Sequence, residues 1–378
     1  MLVAGVYIHI PFCQTKCRYC DFYSVTNARQ RDGFTNALLV EIRQRAYELN
    51  GHSVQTIYLG GGTPSLLSSA QIALILQEIR AVFHVDPKAE VTMECNPGDL
   101  SDLSIQNIIQ AGVNRVSIGA QSFDPGVLSF LSRRHDADET REMFTSFRKA
   151  GVKNISLDLM YGIPGTSIDT LAHDLSVALS LRPEHISAYH LIYEEGTPLW
   201  KDLLEGKVQE VDEELSLEMS HLVHEMLTRH GYEHYEISNF ALLGYRSLHN
   251  SSYWAGVPYL GFGPSAHSYV HPWRSWNPSD LNLYCSQLLS GAHFLDRSYE
   301  KITPRLAYEE YILTRLRTSD GIDVVEINER FGAEYYSHTL GILRRLVEEK
   351  YVEVVRNEQF RLTQSGIDLS DGIIASFF

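Results

Sequence analysis

The chain has 378 residues and a mass of 42.9 kDa, a length that predicts two or three domains, or one large barrel with an appendage. It carries 32 Lys and Arg against 47 Asp and Glu, a formal net charge of −15, which argues against nucleic acid as a partner. No apolar run reaches the ~18 residues of a membrane helix, and the N-terminus has no signal-peptide pattern. We therefore expect a cytoplasmic protein without a membrane span.

Short apolar runs alternate with amphipathic stretches over the first 240 residues. Helices are predicted at 101–111 and 167–181, where apolar residues recur at helical spacing. Strand starts about every 25–50 residues indicate βα units and a parallel sheet, either an open barrel or a doubly wound sheet. The motifs described below favour a six-stranded open βα barrel, an α/β fold. The predicted strands are 5–10, 56–59, 90–94, 115–118, 155–160 and 185–189.

The C-terminal part follows a different pattern. Helices are predicted at 304–317 and 335–350, followed by a hairpin of 351–355 and 359–362, an order typical of a winged-helix-like α+β module. From residue 303 onward the chain has nine Lys and Arg and thirteen Asp and Glu, a net charge of −4. This negative charge favours a packing or lid module over a DNA binder. The predicted domains are a partial barrel over 1–240, an aromatic-rich connector over 241–300 and the C-terminal domain over 301–378.

Three of the five cysteines, Cys13, Cys17 and Cys20, form a C-x3-C-x2-C pattern directly after the first predicted strand. Structural zinc sites prefer four ligands in two separated pairs, and a thioredoxin-like site needs only C-x-x-C. Three thiolates in one loop instead fit a cubane iron–sulfur cluster whose fourth iron stays open to a ligand. A zinc site with His9 as the fourth ligand is the main alternative.

This cysteine loop resembles that of the radical S-adenosylmethionine (SAM) superfamily, which implies a [4Fe–4S] cluster on the three cysteines with SAM bound at the open iron. A glycine turn, Gly60-Gly61-Gly62-Thr63-Pro64, follows the second predicted strand, and glycines let backbone groups approach a ligand closely. Further polar motifs, at 94–97, 119–123 and 158–164, follow later strands, where a βα barrel builds its site.

Together with Tyr7-Ile8-His9-Ile10-Pro11-Phe12-Cys13, these motifs resemble the oxygen-independent coproporphyrinogen oxidase (HemN) group. The resemblance implies that nine residues contact SAM, with Arg134 as an alternative to its neighbour Arg133. The nine residues are Tyr7, Tyr19, Gly61, Gly62, Thr63, Glu94, Gln121, Arg133 and Asp158.

Two departures separate the chain from the oxidases. Phe22 stands where they carry a further cysteine, and the N-terminal extension that covers their substrate is missing. Both match a sister group, the HemW heme chaperones, as does the H-N-x-x-Y-W motif at 249–254. That resemblance implies heme as cargo, respiratory heme proteins as clients, peripheral membrane contact without an anchor, and a homodimer. It leaves enzymatic activity open, with an oxidase-type radical enzyme as the alternative.

The segment 244–278 holds eight aromatic residues in 35, about twice the chain average of 11%. Aromatic walls and an imidazole ligand suit a flat, apolar macrocycle. His249 is therefore the preferred axial ligand of heme, ahead of His267 and His271. The alternative is an aromatic minicore between barrel and C-terminal module, with His249 hydrogen-bonded inside it.

Overall fold

A computed structural model describes residues 2–291, 295–356 and 358–378. All six predicted strands are present, each longer than predicted, and neighbours along the chain pair in parallel. Most of the added ends contain polar residues, such as His52 and Ser53 of β2, which do not continue an apolar run; the added end of β1, Leu2–Ala4, is apolar. The six strands are β1 (Leu2–Ile10), β2 (His52–Gly61), β3 (Val85–Cys95), β4 (Arg115–Gln121), β5 (Ile155–Tyr161) and β6 (His185–His190).

Helices connect the strands. The third helix begins where predicted, because the Ser101 side chain accepts a hydrogen bond from the Ser104 N–H, and it ends at Gly112, which adopts a φ of 111°. The helices up to residue 229 are α1 (Arg31–Arg45), α2 (Ser69–Val82), α3 (Asp102–Ala111), α4 (Pro125–Phe130), α5 (Ala137–Lys149), α6 (Ile168–Leu181), α7 (Pro198–Leu204) and α8 (Glu213–Arg229).

The main sheet has more strands than the six predicted. Further strands are β7 (Glu233–Glu236), β8 (Asn239–Ala241), β9 (Tyr259–Phe262), β10 (His267–Val270), β11 (Trp273–Trp276) and β12 (Ser298–Lys301). Strand β9 pairs in parallel with β1, while β8 pairs antiparallel with β6. The order is β12-β11-β10-β9-β1-β2-β3-β4-β5-β6-β8-β7. The two ends of this sheet do not pair, so the barrel is open.

The aromatic-rich segment thus contributes strands to the main sheet. It also contains a helix where the sequence showed no helical periodicity, α9 (Leu248–Trp254), and is followed by α10 (Leu281–Leu289). Strands of four residues between turns are too short to produce a periodic signal.

A buried carboxylate ties helix α1 to this segment. The Glu41 side chain is fully buried and accepts hydrogen bonds from Arg45 Nη1 at 2.7 Å, the Tyr284 hydroxyl at 2.6 Å and the Gly263 N–H at 2.9 Å. Buried charges are tolerated when they are paired and fully hydrogen-bonded. This network holds the end of β9 against α1.

The C-terminal part has its own apolar core and a three-stranded sheet in the order β13-β15-β14. Its succession of helix, short strand, two helices and hairpin agrees with the winged-helix-like prediction, although Asn357 of the predicted hairpin turn lies outside the described residues. Its elements are α11 (Pro304–Leu316), β13 (Ile322–Asp323), α12 (Val324–Phe331), α13 (Ala333–Glu348), β14 (Val352–Arg356), β15 (Gln359–Leu362), α14 (Gln364–Asp368) and α15 (Ser370–Ala375). Within the described part of the chain, every helix is too short or too polar to cross a membrane.

Candidate functional site

One cavity of about 650 Å³ runs through the interior of the barrel, from the loop after β1 towards the opposite end of the strands. Its volume is typical of a cofactor or ligand site. Every site residue predicted from the sequence lines it: Tyr7, Cys13, Cys17, Tyr19, Cys20, Gly61, Gly62, Thr63, Glu94, Gln121, Arg133, Asp158 and His249. The structure therefore brings together residues that lie up to 242 positions apart in the chain.

The three cysteines of the loop after β1 are free and partly exposed. The Thr63 hydroxyl lies 3.6 Å from Cys13 Sγ, and Arg133 Nη1 lies 3.6 Å from Cys17 Sγ. Burial raises the pKa of the Cys20 thiol to about 11, and negative charge on Cys17 and Cys13 adds to the rise. Two sulfurs thus already face hydrogen-bond donors that would stabilise thiolates.

The donor set fits an iron–sulfur cluster better than zinc. His9, the proposed fourth zinc ligand, is only 4% exposed, and both of its ring nitrogens are engaged, one with the Tyr7 hydroxyl at 3.1 Å and the other with the Tyr23 carbonyl at 2.8 Å. Among the described residues, no three His, Cys, Asp or Glu side chains converge as on a single metal ion. Three thiolates of a cubane bind three different irons, and so stand farther apart.

The glycine turn at the end of β2 leaves no room for side chains. Gly61 has a φ of 105°, and a Cβ there would lie 2.5 Å from the His9 ring. A Cβ on Gly62 would lie 2.7 Å from the Phe12 carbonyl oxygen, while the Gly62 N–H donates to Ile10 at 2.8 Å. The turn therefore fits directly against the start of the cysteine loop, as only glycine allows.

Two acids stand in the middle of the cavity. Glu94 accepts hydrogen bonds from the Tyr58 hydroxyl at 2.9 Å and from the Gly61 N–H at 3.2 Å. Burial raises the pKa of Glu94 to about 7 despite these donors. Asp158 accepts a hydrogen bond from the Ser117 hydroxyl at 2.9 Å, and burial raises its pKa too. A cationic group entering the cavity would lower both pKa values, because it favours the charged carboxylates.

Of the two adjacent arginines, Arg133 is the one that faces the cavity. Besides Cys17, it contacts Asn96, whose Oδ1 accepts from Arg133 Nη2 at 2.6 Å and whose Nδ2 donates to the Thr63 hydroxyl at 3.1 Å. Arg134 instead forms an exposed ion pair with Asp99. Asn96 thus connects the side chains that face two of the cysteines.

Gln121 ends β4 in an unusual conformation. Its φ is 64°, and the pairing of β4 with β5 shifts register between Ile118 and Gln121. A left-handed backbone at a non-glycine residue is uncommon and concentrates at functional sites. Here it accompanies an amide side chain that lines the cavity.

His249 lies at the far end of the cavity and is 1% exposed. Its ring nitrogens are within 2.8 Å of the Thr56 and Tyr253 hydroxyls, and its ring stacks on that of Tyr58 with centroids 5.1 Å apart. Burial, reinforced by the Arg115 cation, lowers the pKa of His249 to about 3. The imidazole is therefore neutral, and both of its ring nitrogens are hydrogen-bonded inside the protein, as the minicore alternative also expected.

Several residues that line the same cavity were not predicted as site residues, among them Tyr58, Arg115, Ser117 and His185; Asn96 belongs to the polar motif 94–97 but was given no role. A usable signal was present in β4, since alternate residues of a strand face the same side. Arg115, Ser117, Gly119 and Gln121 are alternate residues of β4. The predicted role of Gln121 therefore indicates that Ser117 and Arg115 lie on the same face of the strand.

Comparisons with known proteins show which family this chain is similar to. Residues 7–178 match the radical SAM superfamily. The heme chaperone HemW of Bacillus subtilis is 34% identical over 378 residues, which cover 99% of this chain and 98% of that protein. The Escherichia coli heme chaperone HemW is 37% identical over 270 residues, 70% of each chain. The bovine mitochondrial radical S-adenosyl methionine domain-containing protein 1 is 34% identical over 270 residues, covering 71% of this chain and 61% of that one.

Among solved structures, Escherichia coli coproporphyrinogen III oxidase (HemN), described as a radical SAM enzyme, superposes with a TM-score of 0.85. The match covers 100% of this chain and 90% of that chain at 23% identity. At this identity the likeness shows a shared fold and nothing about activity. It confirms the predicted fold class.

Proposed function

This chain belongs to the HemW family of heme chaperones within the radical SAM superfamily, and we propose that it binds heme and passes it to client heme proteins. The observation that carries the proposal is the 34% identity to a heme chaperone over nearly the whole of both chains. The aromatic and imidazole lining at the far end of the cavity supports it, because such groups suit a flat apolar macrocycle.

We further propose that Cys13, Cys17 and Cys20 hold a [4Fe–4S] cluster and that SAM occupies the adjoining part of the cavity. When bound, such a cluster supplies one-electron chemistry and an open iron. The chain's own residues hold and orient the ligands: Thr63 and Arg133 donate towards two cysteine sulfurs, while Glu94 and Asp158 offer carboxylates to a cationic ligand. Cluster ligation requires reduced thiols, which supports a cytoplasmic location.

His249 is the proposed axial ligand of heme. The ring is neutral and lies in the cavity wall, and turning the Tyr253 hydroxyl away would release one ring nitrogen for iron. The proposal extends to homodimerisation controlled by cluster or SAM occupancy, and to transient membrane contact during delivery. Both rest on the family resemblance; sedimentation velocity with and without SAM, and co-sedimentation with vesicles, measure them.

The proposal is tested by anaerobic reconstitution followed by heme titration. We expect about four irons and four sulfides per chain, and saturable heme binding followed in the Soret region. His249→Gln should weaken heme binding, whereas the matched control His267→Gln, an exposed histidine of the same segment, should not. One zinc per chain without sulfide, or multiple-turnover decarboxylation of coproporphyrinogen III, would contradict the proposal.

A further inference from the structure

The interior of the barrel beyond Glu94 and Asp158 is polar. The inward positions of β4 are Arg115, Ser117, Gly119 and Gln121, and all four line the cavity. The neighbouring strands add His185 and Ser187 from β6. In most βα barrels this space is a core of packed branched aliphatic side chains. A polar interior that encloses a cavity is suited to a ligand.

Arg115 is the only cation in the inner part of that cavity among the described residues. It is 2% exposed, and its Nε atom is buried without a hydrogen-bond partner. Its side chain forms no ion pair within 4.0 Å with any carboxylate of the described residues. Buried arginines are almost always paired, because an unpaired buried charge is costly.

The buried carboxylates on the inward face of β3 and β5 are hydrogen-bonded to other groups. Glu90, next to the Thr92 that pairs with Arg115, accepts from the Leu248 and His249 N–H groups. Glu94 is held by the Tyr58 hydroxyl and the Gly61 N–H, and Asp158 by the Ser117 hydroxyl. The protein therefore surrounds the Arg115 guanidinium with a cavity and supplies no carboxylate that closes on it. A planar guanidinium matches a carboxylate in a two-pronged hydrogen-bonded pair.

The other residues of the inner cavity indicate what kind of ligand body the carboxylate would belong to. The rings of Tyr58, His249 and Tyr253 line it, and those of Tyr58 and His249 stack on each other. Aromatic walls suit a flat, largely apolar body. Arg115 lies six residues before Gln121 on β4, about 20 Å along the strand, so the subsite is at the opposite end of the cavity from the cysteine loop.

We propose that Arg115 is a carboxylate-binding subsite at the closed end of the barrel, which takes a propionate carboxylate of the tetrapyrrole cargo. The inference rests on the proposed function, because it assumes that heme enters this cavity. Arg115 then fixes the orientation of the macrocycle against His249, with the acidic edge of heme inward.

The test combines a variant with a modified ligand. Heme and heme dimethyl ester, in which the propionates are blocked, are titrated into reconstituted wild type, Arg115→Gln and the control Arg344→Gln, which replaces an exposed arginine of α13. Arg115→Gln should weaken heme binding by about 10- to 100-fold and leave binding of the ester at the wild-type level. Arg115→Lys should recover part of the loss, and Arg344→Gln should bind both ligands as wild type does.

Several results would contradict the proposal that Arg115 binds a propionate. Arg115 does not bind a propionate if Arg115→Gln loses equal affinity for heme and for the ester. The same conclusion follows if its heme affinity is unchanged, or if it loses affinity for SAM alone. A lower melting temperature of the ligand-free Arg115→Gln variant would assign the guanidinium a structural role, since removal of an unpaired buried charge should keep or raise it. If wild type itself binds no heme, the proposed function is wrong as well. If wild type binds heme but Arg115→Gln binds it equally well, only the proposed subsite is wrong.

Discussion

Cys13 and Cys17 each face a donor that comes from a different strand end, Thr63 after β2 and Arg133 beyond β4. Asn96, which follows β3, bonds to both donors. The cysteine loop is therefore linked by side-chain contacts to three successive strand ends. At the scale of single residues, this linkage makes the loop part of the barrel site.

Cys17→Ser should abolish assembly of the cluster, because a serine hydroxyl is a poor substitute for a thiolate that also accepts from Arg133. Iron per chain after anaerobic reconstitution should fall from about four to below about one. The control Cys285→Ser, on helix α10 and outside the loop motif, should keep the full iron content. Full iron in Cys17→Ser would refute its role as a ligand.

SAM affinity should depend on the ionisation of Glu94. Burial raises the pKa of Glu94 to about 7, so the carboxyl is largely neutral below that pH and largely charged above it. SAM carries a net positive charge and favours the charged form, so its affinity should rise about five- to tenfold between about pH 6 and about pH 7.5. Glu94→Gln should bind weakly with a flat profile; an equally steep profile in that variant would exclude Glu94 as the cause.

At the scale of elements, the first six strands were predictable because each contains an apolar run that faces the outer helices, such as Val6, Ile8, Ile57 and Leu59. Arg115 lies within the predicted strand 115–118, but its place in the cavity was not predicted, because no motif marks the start of that strand. Strands β9, β10 and β11 were not predictable, because four residues between turns carry no periodic signal and their pairing is decided by tertiary contacts.

The contact between the β2 turn and the cysteine loop should be intolerant of a methyl group. Gly62→Ala would place a Cβ 2.7 Å from the Phe12 carbonyl oxygen and 2.8 Å from that of Ile10. Because both neighbours are backbone atoms, we expect a loss of about 1–3 kcal/mol in the free energy of unfolding and reduced cluster occupancy.

The matched control is Gly33→Ala in helix α1, where an added Cβ meets nothing within 4 Å. Alanine is the better helix former, so the free energy of unfolding should stay constant or rise by up to about 1 kcal/mol. Chemical denaturation of the three proteins compares the two sites. Equal stability of Gly62→Ala and Gly33→Ala would show that the β2 turn can shift to accommodate the added methyl group.

At the scale of the whole molecule, an open sheet encloses one continuous cavity, with the cysteine loop at one end and His249 and Arg115 at the other. The motifs predicted most of the residues around the cysteine loop, because parallel strands end at the same edge. His249 lies at the other end, on α9, and came from a separate motif. The buried hydrogen bonds of His249 were not predictable, since they depend on Thr56 and Tyr253 from separate elements.

As a member of the heme chaperone family, the molecule is proposed to carry heme to client proteins. The most direct test of this function is the transfer of heme from the reconstituted, heme-loaded protein to the apo form of a b-type respiratory heme protein, measured by the Soret absorbance of the re-isolated acceptor. We expect the acceptor to gain the heme that the chain loses, and to do so faster than apomyoglobin, a passive scavenger, withdraws heme from the chain. The chaperone function would be wrong if heme stays with the chain, or if it reaches both acceptors at the same passive rate.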